Sequence, residues 1–168
     1  MVVWLIGLSG SGKTTLAQKI IKELDDKTNK AVLIDGDVIR DIFGNDLGYS
    51  IEDRLLNAQR ICQLCKFLDE QGVIVICAIL SMFPETREWN RENIKNYYEV
   101  FIDSPIDKLI ERDSKGLYGK YLQGKVSNVA GMDLEFQLPK QSDLVINNIY
   151  SKSNLLNYAD RIIEKILQ

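Results

Sequence analysis

Gly7-Leu8-Ser9-Gly10-Ser11-Gly12-Lys13-Thr14 satisfies the spacing G-x-x-x-x-G-K-[ST], directly after the apolar run Val2–Ile6. An apolar strand, a glycine-rich turn and a helix, in that order, make this pattern a phosphate cradle rather than a chance turn. Glycines let successive backbone N–H groups turn inward with no Cβ in the way. The helix that follows aims the positive end of its dipole at the same anion. Lys13 supplies a point charge for the β- and γ-phosphates, and the hydroxyl of Thr14 suits Mg²⁺. The expected ligands are ATP and Mg²⁺. The triphosphate is expected on Gly7, Ser9, Gly10, Ser11, Gly12, Lys13, Thr14 and Thr15, and the metal at Thr14.

A second group of reactive side chains is Asp35-Gly36-Asp37, with Arg40 one helical turn further on. The carboxyl end of a strand next to the glycine-rich turn's own strand would place both aspartates in the crevice where open α/β sheets bind ligands. Two carboxylates there suit two tasks, accepting the proton of an attacking hydroxyl and ordering waters on Mg²⁺. Arg54-x-x-Asn57-x-x-Arg60 then puts two arginines and an amide on roughly one face of a helix. That face suits a second, polyanionic ligand through forked hydrogen bonds. Surface ion pairs with neighbouring carboxylates are the competing reading. The chain has no histidine, so proton transfer must fall to a carboxylate or to water.

These residues need a frame, and the rest of the chain supplies one. At 168 residues it is expected to form one domain with a real core. Apolar runs at Val2–Ile6, Ala31–Ile34, Val73–Leu80, Tyr98–Ile102 and Leu144–Ile146 read as strands covered on both faces. Helical patterns fall between them at Lys13–Leu24, Val38–Phe43, Ile51–Gln71, Pro84–Asn93, Ile106–Asp113 and Ser153–Leu167. In Ile51–Gln71, Leu55, Ala58, Ile61, Cys62, Cys65 and Leu68 recur every three or four residues, one buried face. The alternation predicts a three-layer α/β/α fold of the P-loop NTPase type around a five-stranded parallel sheet. Residues 114–138 carry Gly116, Gly119, Gly124 and Gly131 among polar residues and fit no element. A segment that long reads as a lid that shuts water out during the reaction.

The formal net charge of −3 argues against a nucleic-acid or anionic-membrane surface. No long uncharged apolar stretch spans a bilayer, and the N-terminus lacks the order of a signal peptide, so a cytoplasmic location is expected. Cys62 and Cys65 have C-x-x-C spacing, but with Cys77 they lack the second pair a zinc site needs. They are expected to be buried, reduced and structural.

Taken together the chain resembles the adenylylsulfate kinase family, which moves the γ-phosphoryl of ATP to a ribose 3′-hydroxyl. The resemblance is carried by Gly7 to Thr15, by Asp35-Gly36-Asp37-x-x-Arg40, and by Leu47-Gly48-Tyr49-Ser50-x-x-Asp53-Arg54-x-x-Asn57-x-x-Arg60. It continues through Arg112-Asp113-x-Lys115-Gly116-Leu117-Tyr118, Gly131-x-Asp133 and Pro139. It implies Asp37 near the accepting hydroxyl, with Asp35 as the other candidate. It also implies that Arg40, Arg54, Asn57 and Arg60 hold the acceptor's phosphoryl groups. Lys115 would approach the transferring phosphate or the acceptor, and Arg112 would pack near the ATP base. Ser81 is implied as an acceptor-site contact, since in-line transfer needs no phosphoserine intermediate. A small-molecule nucleotide is the partner implied, and a homodimer stays open.

Departures from the family pattern gather on the acceptor side. The lid's Phe-Thr-Gly becomes Val129-Ala130-Gly131, while the opposing aromatic is kept as Tyr49. Base–aromatic stacking contributes about 1–3 kcal/mol per base, so losing one face weakens purine selection. Ile-Ser-Pro becomes Leu80-Ser81-Met82, and Tyr-Glu before the last lid proline becomes Phe136-Gln137. The N-terminal extension usual in assimilatory members is not present in this sequence. This pattern resembles the branch of the family that phosphorylates cytidine 5′-diphosphoramidate in capsule phosphoramidate synthesis. An adenylylsulfate acceptor is the alternative, and a catalytically silent nucleotide-binding regulator is the alternative of another class.

Overall fold

The computed structural model describes residues 1–25, 27, 30–149 and 152–168. Its elements, in chain order, are β1 (Val2–Ile6), α1 (Lys13–Asp25), β2 (Ala31–Asp35), α2 (Gly36–Ile42), α3 (Ile51–Glu70), β3 (Ile74–Ile79) and α4 (Pro84–Asn93). They continue with β4 (Tyr97–Asp103), α5 (Ile106–Arg112), α6 (Leu117–Leu122), β5 (Leu144–Asn147), α7 (Lys152–Leu156) and α8 (Tyr158–Leu167). The strands form one sheet in the order β2-β3-β1-β4-β5, and each neighbouring pair is parallel. Helices cover both faces, as the alternation predicts.

Central β1 explains why its sequence is an unbroken apolar run. Val3 and Leu5 pack with Leu16 and Ile20 of α1 and Ile162 of α8. Val2, Trp4 and Ile6 point the other way, onto Ile61, Cys62 and Cys65 of α3. Burying a large apolar side chain stabilises by roughly 1.5–3 kcal/mol. With all five β1 residues fully buried, the strand is a rigid mount for the turn at its carboxyl end. Cys62, Cys65 and Cys77 are free and buried. Burial pushes the Cys62 thiol up to about 12 and raises that of Cys77 well above its usual value. Thiols so poor in thiolate act as core packing, as expected. No helix among the described residues is long and apolar enough to cross a membrane.

Four local expectations change. The Asp35 strand is expected beside β1, yet β3 lies between them. Helix α2 starts at Gly36 rather than Val38 because the Asp35 carboxylate accepts from the Asp37 N–H and caps it. The glycine-rich stretch contains a helix, α6. Its first N–H groups, those of Tyr118 and Gly119, donate to the Asp113 carboxylate at 3.0 and 2.8 Å, and Tyr118 is 1% exposed, packed with Leu109 and Val129. Finally, the pattern Ser153–Leu167 is two helices that break at Asn157. Leu155 of α7 seats on the glycine-rich turn, while α8 lays Ile162 and Ile163 on the sheet.

Candidate active site

The glycine-rich turn sits at the carboxyl end of β1, where two glycines are required. A Cβ on Gly7 would stand 2.6 Å from Ser11 Oγ and 2.8 Å from Ile102 O. Gly12 has φ +99°, and the Leu155 side chain occupies the space a Cβ would need. Two residues to which the sequence assigned no role brace this turn. Asn148 Nδ2 donates to Ser11 O at 2.8 Å, and the Tyr118 hydroxyl donates to Ser9 O at 2.9 Å. Asn148 follows the last strand at its carboxyl end, where ligand crevices form. Tyr118 closes the Lys-Gly-Leu-Tyr run. Both positions were visible in the sequence, but their partners are more than a hundred residues away.

Thr14 Oγ1 donates to Asp35 Oδ2 at 2.9 Å, while Asp35 Oδ1 accepts from the Asp37 backbone N–H at 3.0 Å. Both Asp35 oxygens are therefore engaged within the protein. The Asp37 carboxylate stands exposed on the first turn of α2, facing Lys115 Nζ at 3.4 Å. Lys13 Nζ donates to Leu8 O at 2.8 Å. Burial, then the Lys115 charge, lowers its pKa from 10.5 to about 8, against the pull of Asp35 and Asp37.

A cavity of about 510 Å³ joins these groups. Its donor side is Ser9, Gly10, Gly12, Lys13, Thr14 and Thr15, and its far side includes Tyr49, Arg54, Lys115 and Val129. A recess of about 90 Å³ adjoins it, sharing Asp37, Tyr49 and Arg54 and adding Arg40, Asn57 and Ser81. Arg40, 6% exposed, donates to Leu47 O at 3.3 Å and Gly48 O at 2.7 Å, with its guanidinium 4.8 Å from the Tyr49 ring centre. Arg54 Nε donates to Tyr49 O at 3.0 Å and its terminal nitrogen to Asn128 O at 2.8 Å, joining α3 to the segment after α6. Within that segment, the Asp133 carboxylate accepts from the backbone N–H groups of Asn128 and Val129. Asn57 is 5% exposed. Its Nδ2 is 3.5 Å from Gly36 O, and its Oδ1 has no protein partner.

Four expected site residues line neither space. Gly7 and Ser11 shape the turn from behind. Arg112 donates to Asn148 O at 3.4 Å. Arg60 forms a two-pronged ion pair with Asp46 at 2.8 and 2.6 Å and lies 4.7 Å over the Phe43 ring. Helix geometry explains this last correction. Steps of three residues turn back by about 60° each, so Arg60 points about 120° away from Arg54.

The glycine-rich turn and Asp37 thus share one cavity, large enough for small-molecule ligands. That is the arrangement of a P-loop phosphotransferase. The chain matches the adenylylsulphate kinase family over residues 1–147 and belongs to it. It is 42% identical over 165 residues to a cytidine diphosphoramidate kinase of Campylobacter jejuni, covering 98% of this chain and 95% of the relative. It is 40% identical over 156 residues to an adenylyl-sulfate kinase of Pseudomonas aeruginosa, covering 92% and 80%. An APS kinase of Mycobacterium tuberculosis, solved with AMPPNP and APS, superposes with a TM-score of 0.89 at 32% identity, covering 99% and 97%. The chain is thus a phosphotransferase with an alcohol group as acceptor. The reading as a silent regulator gives way to it.

Proposed function

We propose that this chain transfers the γ-phosphoryl of ATP to the ribose 3′-hydroxyl of cytidine 5′-diphosphoramidate. The observation that carries the acceptor assignment is Val129. It is 3% exposed, lines the cavity and is aliphatic, which leaves Tyr49 as that cavity's aromatic surface, with Phe83 in the adjoining recess. A pyrimidine loses less than a purine when one stacking face is gone. The relative named for cytidine diphosphoramidate supports the same acceptor. The adenylyl-sulfate kinase relative keeps adenylylsulfate as the second reading. Turnover of the two acceptors at equal, low concentration tests this. We expect the higher kcat/KM with cytidine diphosphoramidate, by a margin smaller than the about 1–3 kcal/mol that a whole stacked base contributes. Preference for adenylylsulfate overturns the acceptor and leaves the 3′-kinase reading standing.

In this mechanism the backbone of residues 9–15 and Lys13 hold the phosphates. Thr14 and Asp35 fit a magnesium ion: the Thr14 hydroxyl hydrogen is taken by Asp35, leaving its lone pairs for the cation. No group of three acidic or thiol side chains that could form a metal cage occurs among the described residues. Mg²⁺ bound through few protein ligands and the substrate's own phosphates is the usual kinase solution. When bound, it offsets charge on the β- and γ-phosphate oxygens. Arg54 and Asn57 align the acceptor, with the unpartnered Asn57 Oδ1 awaiting a donor on the ligand. Arg40 shapes the 47–49 loop beneath Tyr49. Asp37 accepts the 3′-hydroxyl proton as the ribose oxygen bonds to the γ-phosphorus and the bond to the ADP oxygen breaks. Lys115 leaves Asp37 for the transferring group, and the lid excludes water. Reaction in the cytoplasm follows from the need for ATP.

A pH dependence follows from Lys13. Bound phosphate favours the ammonium, whereas the free protein loses that proton near pH 8. MgATP affinity should therefore be flat below pH 8 and fall above it, by up to tenfold per pH unit, with protons taken up on binding. Calorimetry in buffers of different ionisation enthalpy measures both; a dissociation constant flat from pH 7 to 9.5 contradicts the assignment.

A further inference from the structure

Ser81 lies in the smaller recess in a backbone conformation that side chains rarely adopt, φ +52°, and is 4% exposed. A residue in that state persists only where its surroundings over-determine it. Two side chains do so here. Trp4, fully buried in β1, donates its indole N–H to Ser81 Oγ at 3.0 Å. Arg87 of α4 donates to Ser81 O at 2.6 Å and to Gln137 O at 3.4 Å. Arg87 is only 6% exposed, and these bonds go to backbone carbonyls. An indole N–H can only donate, so it occupies a lone pair of Oγ and turns the serine's own hydrogen elsewhere. The hydroxyl hydrogen is left for another acceptor, at a recess that Arg54 and Asn57 also line.

We propose that Trp4 and Arg87 are positioning residues for the acceptor nucleotide, acting through Ser81. They hold Ser81 so that its O–H meets an anionic oxygen of the acceptor's 5′ group. Arg87 carries the same support across to Gln137, at the end of the lid. This rests on the acceptor reading above. It also gives the strained conformation a purpose: a relaxed serine would place its hydroxyl elsewhere in the recess.

The test is steady-state kinetics with ATP and cytidine diphosphoramidate varied separately, with adenylylsulfate as a second acceptor. The proteins are the wild type, Trp4→Phe, Ser81→Ala and the double variant. Trp4→Phe keeps the ring and removes the donor; it should raise the acceptor KM about threefold to tenfold and leave the ATP KM within about twofold. In the Ser81→Ala background the same change should add less than about twofold, because the two residues act as one unit. Arg87→Lys, which keeps charge but loses the fork, should shift the acceptor KM alike, and it carries the test in both backgrounds if Trp4→Phe fails to fold. An unchanged acceptor KM, or an equal effect in both backgrounds, overturns the positioning role. Failure of the wild type to phosphorylate either acceptor overturns the functional reading and this inference with it.

Discussion

Lys13→Ala should lower kcat/KM for ATP by about 10³ or more while the domain stays folded. Removing one donor aimed at developing charge typically costs 10²–10³ in rate, and Lys13 brings a full charge as well as a donor. Stability should be preserved for a separate reason. The pKa of Lys13 is lowered from 10.5 to about 8, so folding disfavours its charged form. Its cost to stability is present in full below pH 8. Between about pH 8 and 10.5 the unfolded chain binds the extra proton, and the cost is relieved as pH rises. The alanine variant should thus melt no lower than wild type at pH 7, and its advantage should shrink toward pH 10. Among the described residues the hydrogen bond it loses is that to Leu8 O, along with the attraction of Asp35 and Asp37. Turnover within tenfold of wild type, or a cooperative loss of structure, would remove Lys13 from the role given to it.

Asp37→Asn should reduce turnover by about 10²–10⁴, the usual contribution of a positioned general base, and leave MgATP affinity within about threefold. The asparagine is nearly isosteric and keeps the backbone N–H that Asp35 accepts, so α2 remains capped. Asp35→Asn should behave differently. It disturbs the partner of Thr14 and hence the magnesium position, so half-saturating Mg²⁺ should rise together with the loss of rate. Comparing the two variants across a magnesium titration separates the roles. Full activity in Asp37→Asn, or a magnesium effect on Asp37 alone, would reverse them.

The donor half of the site was legible because it is local. Gly7 to Thr15 are contiguous, and a strand, a turn and a helix fix their geometry with little help from the rest of the chain. The acceptor half was legible only as residue types. Arg54 and Asn57 do meet in one recess, but Arg60 turns to Asp46 and Phe43 because the helix rotates it away. Arg40 gives one nitrogen, Nη1, to the Leu47 and Gly48 carbonyls and lines that same recess. Helix α6 was invisible for a similar reason. Its glycines read as a loop, while its stability comes from Asp113 beneath its N–H groups and from a buried Tyr118.

The sequence by itself determined the parallel α/β architecture and the phosphate cradle, since hydrophobic periodicity and glycine spacing act over a few residues. The kinase family was likewise written in contiguous motifs. Only the tertiary structure decided which aspartate is engaged by Thr14 and which faces Lys115, because that depends on where α2 starts. It alone brought Asn148 and Tyr118 onto the glycine-rich turn, and Trp4 and Arg87 onto Ser81. Such contacts join residues distant in the chain, and no local spacing encodes the packing that makes them neighbours.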